Sequence, residues 1–157
     1  MYAAGDYVVC PGHGVGQVFD VEVKEVGGSS ISFYIVKVIA NGMTIMIPLD
    51  SKDGIRVLAQ NAEIEQVFCL LSDHDITVDT STWNRRHREY LAKIKTGSLI
   101  EIADVLRSLF LLKHRKALSF GERKMLELCK ELLVKEIAIS QGSEELCVSG
   151  RIEECFQ

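Results

Sequence analysis

Short runs of β-branched and aromatic residues, separated by turn residues, fill the first 58 positions of the chain and exclude a helical beginning. Residues 11–14 are typical of a turn and residues 27–30 of a loop. Asn41-Gly42 is a strong hairpin signal, because a two-residue type I′ turn needs positive φ at both positions. We expect short strands at residues 7–9, 15–23, 31–39, 43–48 and 55–58. Four or five such strands predict a small, strongly bent barrel of the SH3 or Tudor kind.

From residue 61 onward the apolar residues follow a helical repeat instead. Asn61 is a candidate cap for a helix with Ile64, Val67, Phe68 and Leu71 on its apolar face. The tail at residues 143–157 is expected to form a short helix or to fray. The sequence therefore predicts an α+β chain, with a β-domain at residues 1–58 and a compact all-α domain at residues 61–157.

Glycines and capping patterns divide the helical part further. Residues 83–96 are expected to form a helix that Gly97 ends, and Gly142 ends the last long helix. Ser98 with Glu101, and Ser119 with Glu122, have the spacing of a capping box.

Charge is distributed unevenly along the chain, which has a net charge of −4. Residues 1–75 contain 4 Lys and Arg against 10 Asp and Glu, and residues 136–157 contain 1 against 5. Residues 76–135 reverse the balance, with 13 Lys and Arg against 7 Asp and Glu. Only this middle block is suited to a phosphate-binding surface.

The segment Thr82-Trp-Asn-Arg-Arg-His-Arg88 combines the only tryptophan with three arginines at a helix start. An exposed Trp83 can stack on a base or wedge into a base step, and arginines beside it can hold phosphates. The alternative is that Trp83 belongs to the core and that the arginines form a solvated face.

A second basic pair, Arg123 and Lys124, lies in the first turn of its expected helix, where cations oppose the helix dipole. A phosphate partner would explain the placement, and ordinary surface charge is the alternative. Residues 113–116 are also basic, and the simpler interpretation of that loop is solubility.

Residues 43–48 are expected to form an edge strand that ends in proline. An open edge can accept a strand from a partner protein, and the alternative is an ordinary barrel strand. Cys10 and His13 could be half of a metal site or a nucleophile with its base, but no further cluster supplies the remaining groups. The five cysteines are scattered and are expected to be reduced thiols.

Taken together, these motifs resemble the CarD/CdnL family of bacterial transcription regulators, and the resemblance extends over nearly all of residues 1–140. In the first domain the matching stretches are residues 5–6, 11–16, 32–34, 41–43 and 45–48. In the second they are residues 82–86, 93–97, 102–107 and 118–126. The acidic tail at residues 144–157 does not match the family pattern.

The resemblance implies a Tudor-like first domain that binds the RNA polymerase β subunit by extending a sheet, as in transcription-repair coupling factor. The polymerase contacts it implies are Tyr34, Val36, Met43, Ile45, Met46 and Pro48. It also implies that Trp83 enters the minor groove at the upstream edge of the transcription bubble. The phosphate contacts it implies are Arg85, Arg86, Arg88, Arg123 and Lys124.

The expected function is therefore regulation of transcription initiation, by stabilising the promoter open complex without catalysis. Three alternatives remain: a module that binds only protein, a regulator that reads DNA sequence unaided, and a thiol or metal enzyme at Cys10 and His13. We expect a monomer without metal, cofactor, small-molecule substrate or membrane partner. The absence of a signal segment or apolar span favours the cytoplasm.

Overall fold

The computed structural model describes residues 2–51 and 54–157. The chain divides into two compact units, Met1–Leu58 and Ala59–Gln157. The first contains strands and the second contains helices, which confirms the predicted α+β class. Within the described residues, no helix combines the length and apolar character that crossing a membrane requires.

The first unit is a curled, four-stranded antiparallel half-barrel of the predicted Tudor-like kind. Its strands follow chain order in the sheet: β1 (Tyr7–Cys10), β2 (Gly14–Val26), β3 (Ser29–Val38) and β4 (Thr44–Pro48). The inward side chains form a small core, which contains Val8, Cys10, Val18, Tyr34 and Val36. Gly16 is needed beside this core, because a Cβ there would lie 2.5 Å from Cγ1 of Val36.

Two of the three hairpin turns of this sheet differ from the sequence prediction. Gly27 and Gly28 both have positive φ, 59° and 82°, and they form the tight turn between β2 and β3. The turn between β3 and β4 spans residues 39–43, and only Gly42 in it has positive φ. Asn41 instead uses its side-chain oxygen to accept a hydrogen bond from the Met43 amide. The predicted two-residue type I′ turn at Asn41-Gly42 is therefore wrong, since a local Asx bond sets the turn.

Two further details of the β-unit depart from the expected pattern. The β2–β3 register shifts between Val18 and Asp20, so Phe19 lies in a bulge with its side chain exposed, and the expected alternation breaks there. The predicted fifth strand at residues 55–58 is reduced to one bridge, in which Val9 and Arg56 exchange backbone hydrogen bonds.

The second unit consists of five helices packed around one core. They are α1 (Asn61–Ser72), α2 (Trp83–Lys95), α3 (Leu99–Lys113), α4 (Phe120–Gln141) and α5 (Glu145–Glu154). Helix α3 is central, and its buried residues include Leu99, Val105, Leu106 and Leu109.

The helix ends follow the predicted signals in most places. Ser119 and Glu122 make both hydrogen bonds of a capping box at α4, and the Ser98 hydroxyl accepts a bond from the Glu101 amide at α3. Asn61 is not the cap of α1: Gln60 holds that position and Asn61 is the first helical residue. The Asn61 side-chain oxygen accepts a hydrogen bond from Gln141 instead.

The tail at residues 143–157, which was expected to form a short helix or to fray, contains the helix α5. Val148 and Ile152 of α5 are buried, and Phe156 follows them into the core. The Phe156 ring stacks on Phe110 with centroids 4.3 Å apart. The last helix is thus part of the packed unit, because its apolar residues recur at helical spacing against α4.

A charged cluster joins α2, α3 and the end of α1. Lys93 and Arg107 both donate hydrogen bonds to the Asp104 carboxylate, and Arg107 also donates to the Leu70 and Asp73 carbonyls. Burial opposes ionisation of Asp104, but the two cations outweigh it and hold the pKa of this carboxyl below its ordinary value. The cluster therefore stabilises the packing of three helices.

Candidate nucleic-acid interface and sheet edge

Trp83 is the first residue of α2 and is half-buried. Its ring lies 5.2 Å from the His87 ring and 6.3 Å from the Tyr90 ring, measured between centroids. Its inner side packs against the core of the helical unit, while part of the indole stays accessible. Trp83 is therefore neither a fully buried core residue nor a fully exposed one, because it is anchored against the helical unit and can still be reached by a partner.

The indole also lies directly on the first turn of α4. A Cβ at Gly121 would lie 2.8 Å from Nε1 and 3.1 Å from Cε2 of Trp83, so only a glycine leaves room there. Arg123 and Lys124 follow on the same turn and are exposed. The fold therefore brings the two basic stretches that the sequence predicted into one region.

Arg85 and Arg88 are exposed on α2, and Arg85 lies 3.5 Å from the Glu89 carboxylate one turn away. An ion pair this exposed holds its partners weakly. Both guanidinium groups are therefore free to reach a phosphate.

Arg86 is placed differently, because only 4% of it is exposed. Its Nη2 lies 2.8 Å from Oε2 of Glu122, and its Nε donates a 2.9 Å hydrogen bond to the Ser81 carbonyl. Its guanidinium carbon lies 5.2 Å from the centre of the Trp83 ring. The structure thus removes Arg86 from the exposed basic surface and places it in the interior, where Glu122 holds it.

Both members of this buried pair are charged. Burial alone would raise the pKa of Glu122, but the Ser119 amide and Arg86 outweigh it and bring that pKa below its ordinary value. Burial alone would lower the pKa of Arg86, and the contact with Glu122 reverses this and raises it. Lys116 adds a second cation, with Nζ 3.7 Å from Oε1 of Glu122. Neutralising one member would leave a buried charge without its partner.

Phe120 is a candidate contact that the sequence prediction missed. It is the first residue of α4, 68% of it is exposed, and the Lys124 ammonium lies 5.4 Å from its ring centre. A bare aromatic ring beside cations is suited to contact with a sugar or base. The available signal was its position directly after the Ser119 cap, ahead of the apolar repeat of α4.

Trp83 lines a cavity of about 460 Å³. Residues 79–82 line it together with the end of α3 and the start of α4, and Arg115 and Lys116 contribute cations to it. The loop predicted to serve solubility therefore lies beside the indole. Arg115 and Lys116 therefore add positive charge beside Trp83.

In the β-unit, β4 lies at the edge of the sheet and pairs only with β3 among the described strands. Met46 on β4 is 39% exposed, and Met43 just before the strand is 48% exposed. Ile45, Ile47 and Pro48 are half-buried and line a hollow of about 270 Å³. The edge thus offers main-chain groups together with a small apolar surface.

Tyr34 and Val36 support this edge from inside. Tyr34 pairs with Ile47 and Val36 pairs with Ile45, and both side chains lie in the core of the half-barrel. Of the six predicted polymerase contacts, these two are therefore not accessible to a partner in this structure.

Cys10 and His13 also line the hollow below β4. Burial raises the pKa of the Cys10 thiol to about 11, so it is protonated at neutral pH and is a poor nucleophile. No group of three or more metal-ligating side chains occurs in the part of the chain that the structure describes. The geometry gives the enzyme alternative no support.

Comparison with known families matches both units. Residues 2–59 match the family described as "CarD-like/TRCF RID domain", and residues 66–153 match "CarD, C-terminal domain". The second match includes most of the tail that the sequence analysis left outside the family pattern.

A relative that matches along nearly its whole length agrees with this assignment. The chain is 31% identical over 147 residues to "Putative transcription factor YdeB" of Bacillus subtilis (strain 168), covering 92% of this chain and 95% of that protein. It is 42% identical to the solved structure of CdnLNt from Myxococcus xanthus, over 36% of this chain and 83% of that one, with a TM-score of 0.33. The matches of both units and the full-length relative show that the chain belongs to the CarD/CdnL family of transcription regulators.

Proposed function

We propose that this chain docks on the RNA polymerase β subunit through β4 and stabilises the promoter open complex through Trp83 and its basic surroundings. A role in transcription regulation follows from the family, and the match to the CarD-like/TRCF RID domain supports interaction with RNA polymerase. The observation that carries the DNA contact is the half-exposed indole of Trp83, anchored against α4 among exposed cations.

The polymerase contact is proposed for the open edge of β4. A partner strand can bond to its free main-chain groups, and Met43 and Met46 can then pack against the partner's side chains. Pro48 ends the strand and has no amide to donate, so it limits the added strand at one end.

The DNA contact is proposed for Trp83 with Arg85, Arg88, Arg123 and Lys124. The cations attract the phosphate backbone, and the indole stacks at the upstream edge of the bubble and opposes reannealing there. One base-stacking contact is worth about 1–3 kcal/mol. Since about 1.4 kcal/mol changes an equilibrium tenfold, the indole alone can lengthen the open-complex lifetime by about one order of magnitude.

Docking and DNA contact support each other. The helical unit carries most of the Lys and Arg, but acidic residues surround this block in the sequence and the whole chain is negative. Its affinity for free DNA is expected to be weak at physiological salt. Attachment to polymerase raises the effective concentration of the helical unit beside the promoter. A module that binds only protein would be favoured by a fully buried Trp83, which the structure does not have.

The test is the lifetime of an open complex, measured with cognate polymerase after adding a competitor. Wild type is expected to prolong it, and Trp83→Ala and Met46→Ala are each expected to shorten it toward the value without the protein. Val23→Ala is the control for Met46→Ala, because Val23 is also an exposed apolar residue of the same sheet (65% exposed, against 39% for Met46) but lies on β2, which does not pair with β4.

Binding to isolated β subunit separates the two contacts. Met46→Ala is expected to weaken it, whereas Trp83→Ala is expected to bind as wild type does. The proposal fails for the indole if Trp83→Ala prolongs the open complex as wild type does. It fails for the edge if Met46→Ala and Val23→Ala bind the subunit equally well.

A further inference from the structure

Arg86 contacts three separate parts of the candidate DNA surface with one side chain. Its Nε donates a hydrogen bond to the Ser81 carbonyl in the loop before α2, and its Nη2 forms an ion pair with Glu122 at the start of α4. The plane of the guanidinium also packs near the Trp83 ring, 5.2 Å from its centre. A lysine ammonium, which lacks this planar fork, cannot make the three contacts at once.

Glu122 completes the connection from the other side. It is 1% exposed, pairs with Arg86, and accepts a 2.9 Å hydrogen bond from the Ser119 amide as part of the α4 capping box. The same first turn of α4 carries Gly121 against the indole, and Arg123 and Lys124 on the surface. One buried carboxylate therefore ties the position of α4 to that of α2.

We propose that Arg86 and Glu122 are positioning residues, which hold the Trp83 indole and the start of α4 in the arrangement that contacts DNA. Arg86 then acts without touching DNA. This inference rests on the proposed function for its effect on the open complex, but its effect on Trp83 can be measured in the free protein.

Glu122 allows a test in which charge and position predict opposite results. Glu122→Gln removes a negative charge near the DNA-facing surface, so electrostatics alone would strengthen DNA binding. It also replaces the charged partner of Arg86 with a neutral amide, so loss of positioning would weaken the effect on DNA. The amide oxygen in this variant can still accept the Ser119 N–H and keep the helix cap. Glu131→Gln is the matched control, since Glu131 is an exposed carboxylate on the same helix.

The free full-length protein is examined first. Trp83 is the only tryptophan, so its emission maximum and its quenching by acrylamide report on this site alone. Glu122→Gln is expected to shift the maximum to the red and to increase quenching, and Glu131→Gln is expected to match wild type. Circular dichroism and a thermal melt establish that each variant is folded at the measuring temperature. If Glu122→Gln does not fold, Arg86→Lys takes its place.

Open-complex lifetime is then compared among the same proteins. Glu122→Gln is expected to shorten it toward the value of Trp83→Ala, despite its more positive charge, and Glu131→Gln is expected to leave it at least as long as wild type. Emission and lifetime both equal to those of Glu131→Gln would overturn the inference. A shifted emission with an unshortened lifetime would overturn it as well. If wild type itself does not prolong the open complex, the proposed function fails, and the emission result alone then supports or overturns the positioning of Trp83.

Discussion

Replacing Gly121 with alanine should disturb Trp83 without touching any charged group. The added Cβ would lie 2.8 Å from Nε1 of the indole, closer than Cβ atoms approach other atoms in folded proteins, and a tight 3.1 Å from Cε2. The ring must therefore move or the start of α4 must shift. Gly150 is the matched control, because it lies inside α5 and a Cβ there would meet nothing within 4 Å.

Gly150→Ala should raise the free energy of unfolding, whereas Gly121→Ala should lower it or leave it nearly unchanged. Alanine in place of glycine inside a helix stabilises by about 0.8–1.0 kcal/mol, which is the expectation for Gly150→Ala. At Gly121 this gain is at most the same, and overpacking opposes it by about 1–3 kcal/mol. Gly121→Ala is thus expected to be less stable than Gly150→Ala by about 1–3 kcal/mol, or at least about 4 °C in melting temperature for a unit of this size.

Urea unfolding followed by tryptophan emission measures this difference in the helical unit, because Trp83 reports only there. The native emission of Gly121→Ala should also be shifted relative to wild type, while that of Gly150→Ala should not. Equal stabilisation by the two alanines, with unchanged emission in both, would refute the close packing of Trp83 on α4.

Three further predictions concern other parts of the chain. Gly16→Ala should destabilise the β-unit by about 1–3 kcal/mol, because its Cβ meets Val36 at 2.5 Å; amide hydrogen exchange in the β-strands measures this, and unchanged protection would contradict it. Asp104 has a lowered pKa in the folded state, so its contribution to stability is present above the ordinary value of 3.8 and is lost as pH falls through the folded-state value. Asp104→Asn should therefore lower the urea midpoint at pH 7 and have much less effect near pH 2; an equal loss at both values would contradict this. Lys124→Ala should weaken binding to any duplex and reduce the slope of log affinity against log salt by about 1, measured by fluorescence anisotropy, and an unchanged slope would remove Lys124 from the phosphate contacts.

The class of the fold was predictable because the apolar residues of each unit follow a different periodicity. Alternation with turns marked the half-barrel, and apolar spacing marked the helices. The type I′ turn at Asn41-Gly42 could not be excluded from the dipeptide, because the side-chain bond of Asn41 to Met43 decides the backbone there. The bulge at Phe19 likewise depends on the pairing of two strands and has no local signal.

The candidate site was predictable in its residue types but not in its packing. Arg86 stood among arginines and was grouped with them, although its spacing of four from Tyr90 and eight from Ile94 places it on the buried stripe of α2. That signal was present in the sequence. The partner Glu122 and the contact of Gly121 with Trp83 join residues more than 35 positions apart, so only the tertiary structure brings them together.

The shortness of β4 also bears on self-association. An open strand edge can pair with the edge of another copy and lead to aggregation, and long, flat, apolar edges are the most prone to it. Here the edge has five residues and ends at Pro48, so it offers few main-chain bonds to a second molecule. A short edge of this kind disfavours chance pairing between copies of the chain.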